Sequence, residues 1–160
     1  MPKIYLDTSA ISHLEQPEKP FEQRCSQGLF ARIRKCDFAV YLSRVVFEEI
    51  NACTSELRGL LLRHIAEIEY HDIMINHEVE NLAKTIIARG VLPSKSVSDS
   101  QHIAAAIVTG CDYIVSWNMK HMSNVHINKS IRHITIDEGY KDIMLVPPLM
   151  LVEEGAIDDE

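Results

Sequence analysis

The chain has 160 residues, of which 46% are apolar and 24% are charged, and its formal net charge is −7. This length suits one domain with a single core, and no segment approaches the roughly 18 to 20 consecutive apolar residues that a membrane helix needs. The acidic balance excludes a protein that coats nucleic acid through a broad basic surface, although an enzyme that gathers carboxylates around a divalent metal ion stays compatible with it.

The amino terminus and the cysteines indicate a reduced, cytoplasmic setting. The segment MPKIYLDT lacks the charged and then apolar layout of a signal peptide, and none of the four cysteines, Cys25, Cys36, Cys53 and Cys111, forms a CxxC pair. We therefore expect the thiols to serve as small core side chains rather than as disulfide partners or zinc ligands.

The apolar pattern predicts strands that alternate with helices along the whole chain. Strands are predicted over 3–6, 38–42, 70–75 and 113–117. Helices are predicted over 21–35, 45–52 with Ser43 as its cap, 57–68, 77–90 with Asn76 as its cap and Gly90 at its end, and 99–109. The segment 131–151 is expected to hold two short extended pieces. Strands separated by helices predict an α/β fold with a parallel sheet that helices cover on both faces.

Four polar positions follow strands or begin helices at the same edge of this predicted sheet. Asp7 ends the first strand, Glu48 or Glu49 lies on the helix after the second, Asp99 begins a helix, and Asn118 follows YIVSW. Each has a structural alternative as a helix cap, a dipole partner or a solvated surface group. Together they predict one cleft, because ligands bind beyond the carboxyl ends of parallel strands and like charges gathered there need a cation.

These residues resemble a known family in their order and spacing. YLDTS, VVFEEI, SDSQHIAAAI and YIVSWN, spread over roughly residues 3 to 147, are similar to the PIN domain, a fold of metal-dependent ribonucleases that includes VapC-type toxins. The resemblance implies a Rossmann-like PIN fold with a central parallel sheet of about five strands. It also implies an acidic cleft that holds Mg²⁺ or Mn²⁺.

The resemblance assigns catalytic and metal-binding roles to individual residues. Asp7 and Asp99 correspond to the family's first and third acids, with Ser9, and less strongly Thr8, as supporting hydroxyls. The second acid corresponds to Glu49, followed by Ile50, better than to Glu48. The fourth position, usually Asp in the toxins, is Asn118, whose amide oxygen can ligate a metal ion without adding charge.

Further polar residues near the predicted cleft have weaker assignments. Arg44, Trp117 and Lys120 are candidates for substrate binding, with a surface ion pair as the alternative for Arg44 and a core position for Trp117. The chain has eight histidines, which are more typical of surface and helix-end positions, so His102 and His121 are predicted to lie outside the metal site.

The resemblance predicts a metal-dependent endoribonuclease that hydrolyses RNA, with the toxin of a toxin–antitoxin pair as a candidate role. The predicted organisation is a single domain over residues 1–150 followed by an acidic tail at 151–160. An antitoxin protein is a predicted partner, and the leucine-rich segment LRGLLLRHIAEI favours a homodimer. The alternative is a catalytically weak PIN-fold scaffold, because Asn118 reduces the charge of the site. A haloacid dehalogenase-type phosphatase is disfavoured, since its DxDxT motif needs an acid where Ser9 stands.

Overall fold

The apolar run at the start of the chain forms the central strand of a parallel sheet. The computed structural model describes residues 1–118 and 125–152, and in it the strand order is β3-β2-β1-β4-β5 with every neighbouring pair parallel. The strands are β1 (Lys3–Leu6), β2 (Ala39–Ser43), β3 (His71–Ile73), β4 (Tyr113–Val115) and β5 (Met144–Val146).

Helices flank this sheet and account for most of the remaining described chain. They are α1 (Thr8–Ser12), α2 (Pro20–Arg34), α3 (Arg44–Asn51), α4 (Ser55–Ala66), α5 (His77–Ala88), α6 (Val97–Thr109) and α7 (Val125–Glu138), with short 3-10 turns at His13–Glu15 and Pro148–Leu151. This architecture confirms the predicted α/β fold with a five-stranded parallel sheet. None of the helices within the described ranges is long and apolar enough to cross a membrane.

The register of the three central strands brings their carboxyl ends to one edge. Tyr5 of β1 pairs with Tyr41 of β2 and Ile114 of β4, and the backbone N–H of Asp7 donates to the carbonyl of Val115 at 3.0 Å. Because α3 follows β2 directly and α6 runs back toward the start of β4, both helices begin at this edge. Asp7 therefore lies at the same edge of the sheet as the first turns of α3 and α6.

Local capping signals in the sequence correspond to the observed helix ends. The Ser43 Oγ accepts a hydrogen bond from the Val45 N–H at 3.3 Å, and the Asn76 Oδ1 accepts one from the Val79 N–H at 3.0 Å. Gly90 follows α5 with a φ of 74°. These three predicted helix boundaries are confirmed, and each depends on a residue type whose side chain or conformational freedom suits that position.

The predicted second extended piece in the carboxyl-terminal segment is wrong. Residues 131–138 belong to α7, and only β5 is extended. The β-branched residues around Ile134 favour a strand locally, but the buried positions Ile127, Ile131, Ile134 and Thr135 recur at helical spacing. Burial of the helix face that carries these residues outweighs the local preference for a strand. The short helix α1 was also absent from the sequence prediction.

The ends of the predicted strands and helices differ from the observed ends by at most two residues. β3 is restricted to His71–Ile73, β4 ends at Val115 so that Ser116 and Trp117 lie beyond the strand, and α6 begins at Val97. The shorter β4 is the difference that matters for the cleft, because it frees the residues after Val115 to turn toward Asp7.

The cysteines fulfil the prediction of core side chains only in part. Cys25 and Cys111 are buried, and burial raises the pKa of the Cys111 thiol to about 12. Cys36 is exposed, so its prediction as a core residue is wrong. It follows the end of α2, where its N–H donates to the carbonyl of Ile33 at 2.9 Å and the Asp37 N–H donates to Arg32 at 3.2 Å. That pattern is a Schellman motif, whose C′ residue is left-handed.

We expect the strain at Cys36 to be visible in thermal melts. Its φ is 63°, a conformation that costs an L side chain roughly 1 kcal/mol and a β-branched one more. Cys36→Gly is expected to keep or raise the melting temperature, and Cys36→Val to lower it by about 2 to 4 °C. Equal melting temperatures for the two variants would contradict a left-handed backbone at this position.

Candidate functional site

An open cleft of about 380 Å³ lies at the carboxyl edge of the sheet. Among the predicted site residues, Asp7, Thr8, Ser9, Glu49, Asp99, Asn118 and Trp117 line it. Arg44 is not among the lining residues, and Lys120 lies outside the part of the chain that the structure describes. The predicted convergence of side chains from β1, α3, α6 and the segment after β4 is therefore observed.

Asp7 occupies the cap position of α1 without acting as a side-chain cap. Its carboxylate accepts no capping hydrogen bond from a backbone N–H of α1. Instead, its Oδ2 accepts hydrogen bonds from the Ser9 Oγ at 2.7 Å and the Ser116 Oγ at 2.8 Å. The buried carboxylate is thus held by two hydroxyl groups, and the capping alternative considered for Asp7 does not account for it.

The two hydroxyls are themselves fixed by backbone donors. The Trp117 N–H donates to the Ser9 Oγ and the Asn118 N–H donates to the Ser116 Oγ, each at 2.9 Å. A hydroxyl that accepts from the backbone is free to donate its hydrogen to the carboxylate. The turn after β4 therefore orients Asp7, with one carboxylate oxygen fixed and the other directed toward Glu49 and His102.

Glu49 and its neighbour Glu48 have different environments. The Glu49 Oε1 accepts a hydrogen bond from the Thr8 Oγ1 at 3.0 Å, and Glu49 lines the cleft. The Glu48 side chain is 65% exposed and lies 3.5 Å from Arg44, against 37% exposure for the Glu49 side chain. Only Glu49 faces the other carboxylates, and Arg44 forms the surface ion pair that was its alternative assignment.

Asp99 and Asn118 form the outer part of the cleft. The Asn118 Nδ2 donates a long hydrogen bond of 3.4 Å to the Asp99 Oδ2, and both residues line the cleft. Asp99 lies in the first turn of α6, where the helix dipole favours a negative charge. The amide thus contacts the carboxylate that it was predicted to accompany.

His102 belongs to this site, and its predicted place on the surface is wrong. Its Nε2 donates to the Glu49 Oε1 and lies 3.3 Å from the Asp7 Oδ1, and its side chain is 0% exposed. Burial alone would lower the pKa of His102, but the facing Asp7 and Glu49 carboxylates raise it above its usual value. His121, the other histidine considered, lies outside the described residues.

A buried hydrogen-bond chain continues on the far side of the His102 ring. The His102 Nδ1 and the Tyr5 hydroxyl are 2.6 Å apart, and the same hydroxyl is 2.7 Å from the Ser43 Oγ. Burial raises the pKa of Tyr5 well above its usual value, so the hydroxyl keeps its proton. This series of hydrogen bonds ends at the Val45 N–H, which donates to the Ser43 Oγ. It links the core of the sheet to the site.

Aromatic rings form another wall of the cleft. The Trp117 Nε1 donates to the Ser26 Oγ at 2.9 Å, and its ring centroid is 5.8 Å from that of His13. His13 donates from Nδ1 to the Ser9 carbonyl at 2.7 Å, and burial lowers its pKa. Lys19 also lines the cleft. Trp117 is half-buried beside the cleft and not part of the core, so its core alternative is wrong and its role in substrate binding stays a prediction.

The donor set suits a hard divalent cation. Asp7, Glu49 and His102 each offer a ligand atom within 4.8 Å of the other two, and Asp99 and Asn118 add oxygens on the same cleft outside that cluster. Carboxylate and amide oxygens are the preferred ligands of Mg²⁺ and also suit Mn²⁺. The arrangement can hold a cation and use its charge on a bound phosphate.

Sequence reasoning missed His102, Ser116, Tyr5 and Ser43 as supporting residues. The signal for His102 was present, because it follows Asp99 by three residues and so lies one helical turn deeper on the same face of α6. The signal for Ser116 depended on where β4 ends, which the strand pattern extended too far. Tyr5 was interpreted only as part of an apolar strand, and Ser43 was predicted only as a helix cap, so their mutual contact was not foreseen.

Comparison with known proteins supports the fold. No family model and no curated protein matches this sequence. Among solved structures, a chain of VapBC2 from Rickettsia felis, a complex bound to a DNA fragment from its promoter, is similar with a TM-score of 0.56 and 13% sequence identity. The similarity covers 91% of this chain and 98% of that chain. At this identity the likeness shows a shared fold, which agrees with the fold that the sequence resemblance implied.

The geometry predicts different metal responses for the two glutamates on α3. We expect Glu49→Gln to weaken Mn²⁺ binding about tenfold or more, because it removes a charge that faces Asp7, and Glu48→Gln to leave binding unchanged. Titration calorimetry on metal-free protein measures both, and Glu48→Gln is the matched control on the same helix. If only Glu48→Gln weakened Mn²⁺ binding, the metal ligand would be Glu48 and the assignment of Glu49 would be wrong.

Proposed function

We propose that this protein is a metal-dependent endoribonuclease of the PIN type. The observation that carries the proposal is the convergence of Asp7, Glu49, Asp99 and Asn118 on one cleft at the carboxyl edge of a parallel sheet. Three carboxylates that share a cleft repel one another unless a cation joins them. Such a site is adapted to a divalent ion and a phosphate, and it explains acidic residues that neither cap helices nor form surface ion pairs.

The residues present fit Mg²⁺ or Mn²⁺. Asp7 and Glu49 would hold the ion from the floor of the cleft, with Asp99 and the amide oxygen of Asn118 on its outer side. When bound, such an ion lowers the pKa of a water molecule, polarises a phosphodiester and stabilises the charge that develops during its hydrolysis.

The protein's own residues prepare the cleft for that chemistry. Ser9 and Ser116 fix one oxygen of Asp7, so the carboxylate loses little freedom when its other oxygen binds a ligand. Thr8 does the same for Glu49. Lys19 offers a positive charge at the cleft, where it can meet a substrate phosphate, and the Trp117 ring offers a face on which an unpaired base can stack.

Single-stranded RNA is the proposed substrate, with a 5′-phosphate and a 3′-hydroxyl as the ends produced. The net charge of −7 disfavours binding of a polyanion, and a cation held in the cleft would supply positive charge where a phosphate lies.

The sequence resemblance to VapC-type toxins and the fold shared with VapBC2 lead us to propose a toxin role with an antitoxin protein as the partner. We also propose a homodimer, and α4, which carries the exposed Leu62, is the predicted contact.

The scaffold alternative makes a different prediction for metal. It is favoured by one observation, the neutral Asn118 at the position where the VapC-type toxins usually have an aspartate. A scaffold needs no cation, whereas the nuclease must bind Mn²⁺ in the micromolar to millimolar range typical of hydrated oxygen sites.

We expect Asp7→Asn and Asp99→Asn to abolish Mn²⁺-dependent cleavage of single-stranded RNA while the fold stays intact. Each change removes a ligand charge from the cleft, and metal affinity is expected to fall about tenfold or more. Circular dichroism and gel-based cleavage assays measure the two properties, with Glu48→Gln as the control. Full cleavage by repurified Asp99→Asn would refute the assigned site.

Asn118→Asp is expected to strengthen the metal site and weaken the metal-free fold. The new carboxylate faces Asp99, whose present partner is the Asn118 amide, so the two charges repel when no cation is bound. We expect the metal-free melting temperature to fall by about 2 to 4 °C, which corresponds to roughly 1 kcal/mol, and the rise on adding Mn²⁺ to exceed that of the wild type. If the variant and the wild type had the same melting temperature both without and with Mn²⁺, Asn118 would lie outside the metal site.

A further inference from the structure

His102 is a fully buried side chain whose Nε2 faces both the Asp7 and the Glu49 carboxylates. We propose that it is a positioning residue, which holds the Asp7 and Glu49 carboxylates at the separation that a shared cation requires. This inference rests on the proposed function and adds to it, because neither the sequence resemblance nor the comparisons assign a role to this residue.

The Nε2 atom of His102 faces two hydrogen-bond acceptors. Both groups that this nitrogen faces, the Glu49 Oε1 and the Asp7 Oδ1, are carboxylate oxygens and can only accept. The Nε2 atom must therefore carry a hydrogen for these contacts to form. An N–H group shared between two carboxylates draws them together and offsets part of their repulsion before any cation arrives.

The His102 ring has a fixed orientation, because its other nitrogen also contacts a buried partner. The Nδ1 atom is 2.6 Å from the Tyr5 hydroxyl, which in turn is 2.7 Å from the Ser43 Oγ, and the Val45 N–H donates to that oxygen. Every link in this chain is buried. A ring held at both nitrogens cannot rotate to another rotamer without breaking a buried hydrogen bond.

The His102 ring lies behind the cleft and not in its lining. Asp7, Glu49 and Asp99 line the cleft, whereas His102 is 0% exposed and is absent from its lining. His102 lies one turn deeper on α6 than Asp99, behind the two carboxylates. A cation that enters the cleft meets the carboxylate oxygens first, so the imidazole supports the ligands from behind and is not itself a ligand.

The test compares Mn²⁺ binding by two variants of His102. His102→Leu fills the space but removes the donor, and we expect its Mn²⁺ dissociation constant to rise about 10- to 100-fold. His102→Gln can place an amide N–H where Nε2 now lies, and we expect a rise of no more than about threefold. Titration calorimetry on metal-free protein measures both. Thr135→Val, which removes another buried hydroxyl far along the chain, is the control and is expected to bind as the wild type does.

A second variant keeps the test valid if His102→Leu does not fold. Tyr5→Phe leaves His102 in place and removes its Nδ1 partner, and we expect a rise in the Mn²⁺ dissociation constant of about three- to tenfold. The Michaelis constant for RNA at saturating Mn²⁺ is expected to stay unchanged in these variants, since none of the altered atoms lines the cleft.

The outcomes separate this inference from the proposed function. If the wild type binds no Mn²⁺ and cleaves no RNA, the proposed function is wrong and the role of His102 falls with it. If the wild type binds Mn²⁺ and His102→Leu binds equally well, only the inference is wrong. If His102→Gln binds as weakly as His102→Leu, the imidazole itself is required and the positioning role is refuted.

Discussion

The contact of His102 with the Asp7 and Glu49 carboxylates is the interaction on which the rest of the site depends. Two carboxylates at the edge of a buried sheet repel each other, and the His102 N–H between them offsets part of that repulsion in the metal-free protein. Tyr5 of β1 contacts the His102 ring and Ser43 of β2 contacts Tyr5, so residues of two strands hold the ring that carries this N–H in place. The geometry that a cation needs is therefore present before the cation binds, which reduces the reorganisation that binding requires.

The parallel sheet makes this arrangement possible. In-register pairing of β1 with β2 and β4 ends three strands at one edge, where α3 begins directly after β2 and Ser116 turns toward Asp7 directly after β4. The chain thus assembles its cleft from segments more than a hundred residues apart, with Asp7 and Ser116 as the example. A displacement of β4 by one residue would turn the Ser116 side chain to the other side of the sheet and remove a donor from Asp7.

The sequence predicted the features that depend on neighbouring residues. The apolar run before Asp7, the Ser43 and Asn76 caps and the helical spacing in α5 are local signals, and the structure confirms them. The strand predicted within α7 failed because β-branched residues there favour extended structure while burial of Ile127, Ile131 and Ile134 selects a helix. The environment of His102 could not be predicted from neighbouring residues, because its partners are distant in sequence. Tyr5 lies in β1, Asp7 directly follows β1, and Glu49 lies on α3. The resemblance to PIN domains identified the acidic residues and gave no indication of the side chains behind them.

The central claim is that one divalent cation binds between the Asp7, Glu49 and Asp99 carboxylates. A crystal structure of the wild-type protein grown with Mn²⁺, with data collected at a wavelength where manganese scatters anomalously, tests it most directly. The account predicts an anomalous difference peak within coordination distance of Asp7 and Glu49 oxygens, on the cleft side, with His102 still donating to the carboxylates from behind. A cleft without a manganese peak at saturating Mn²⁺, or a peak bound directly by the His102 Nε2, would contradict it.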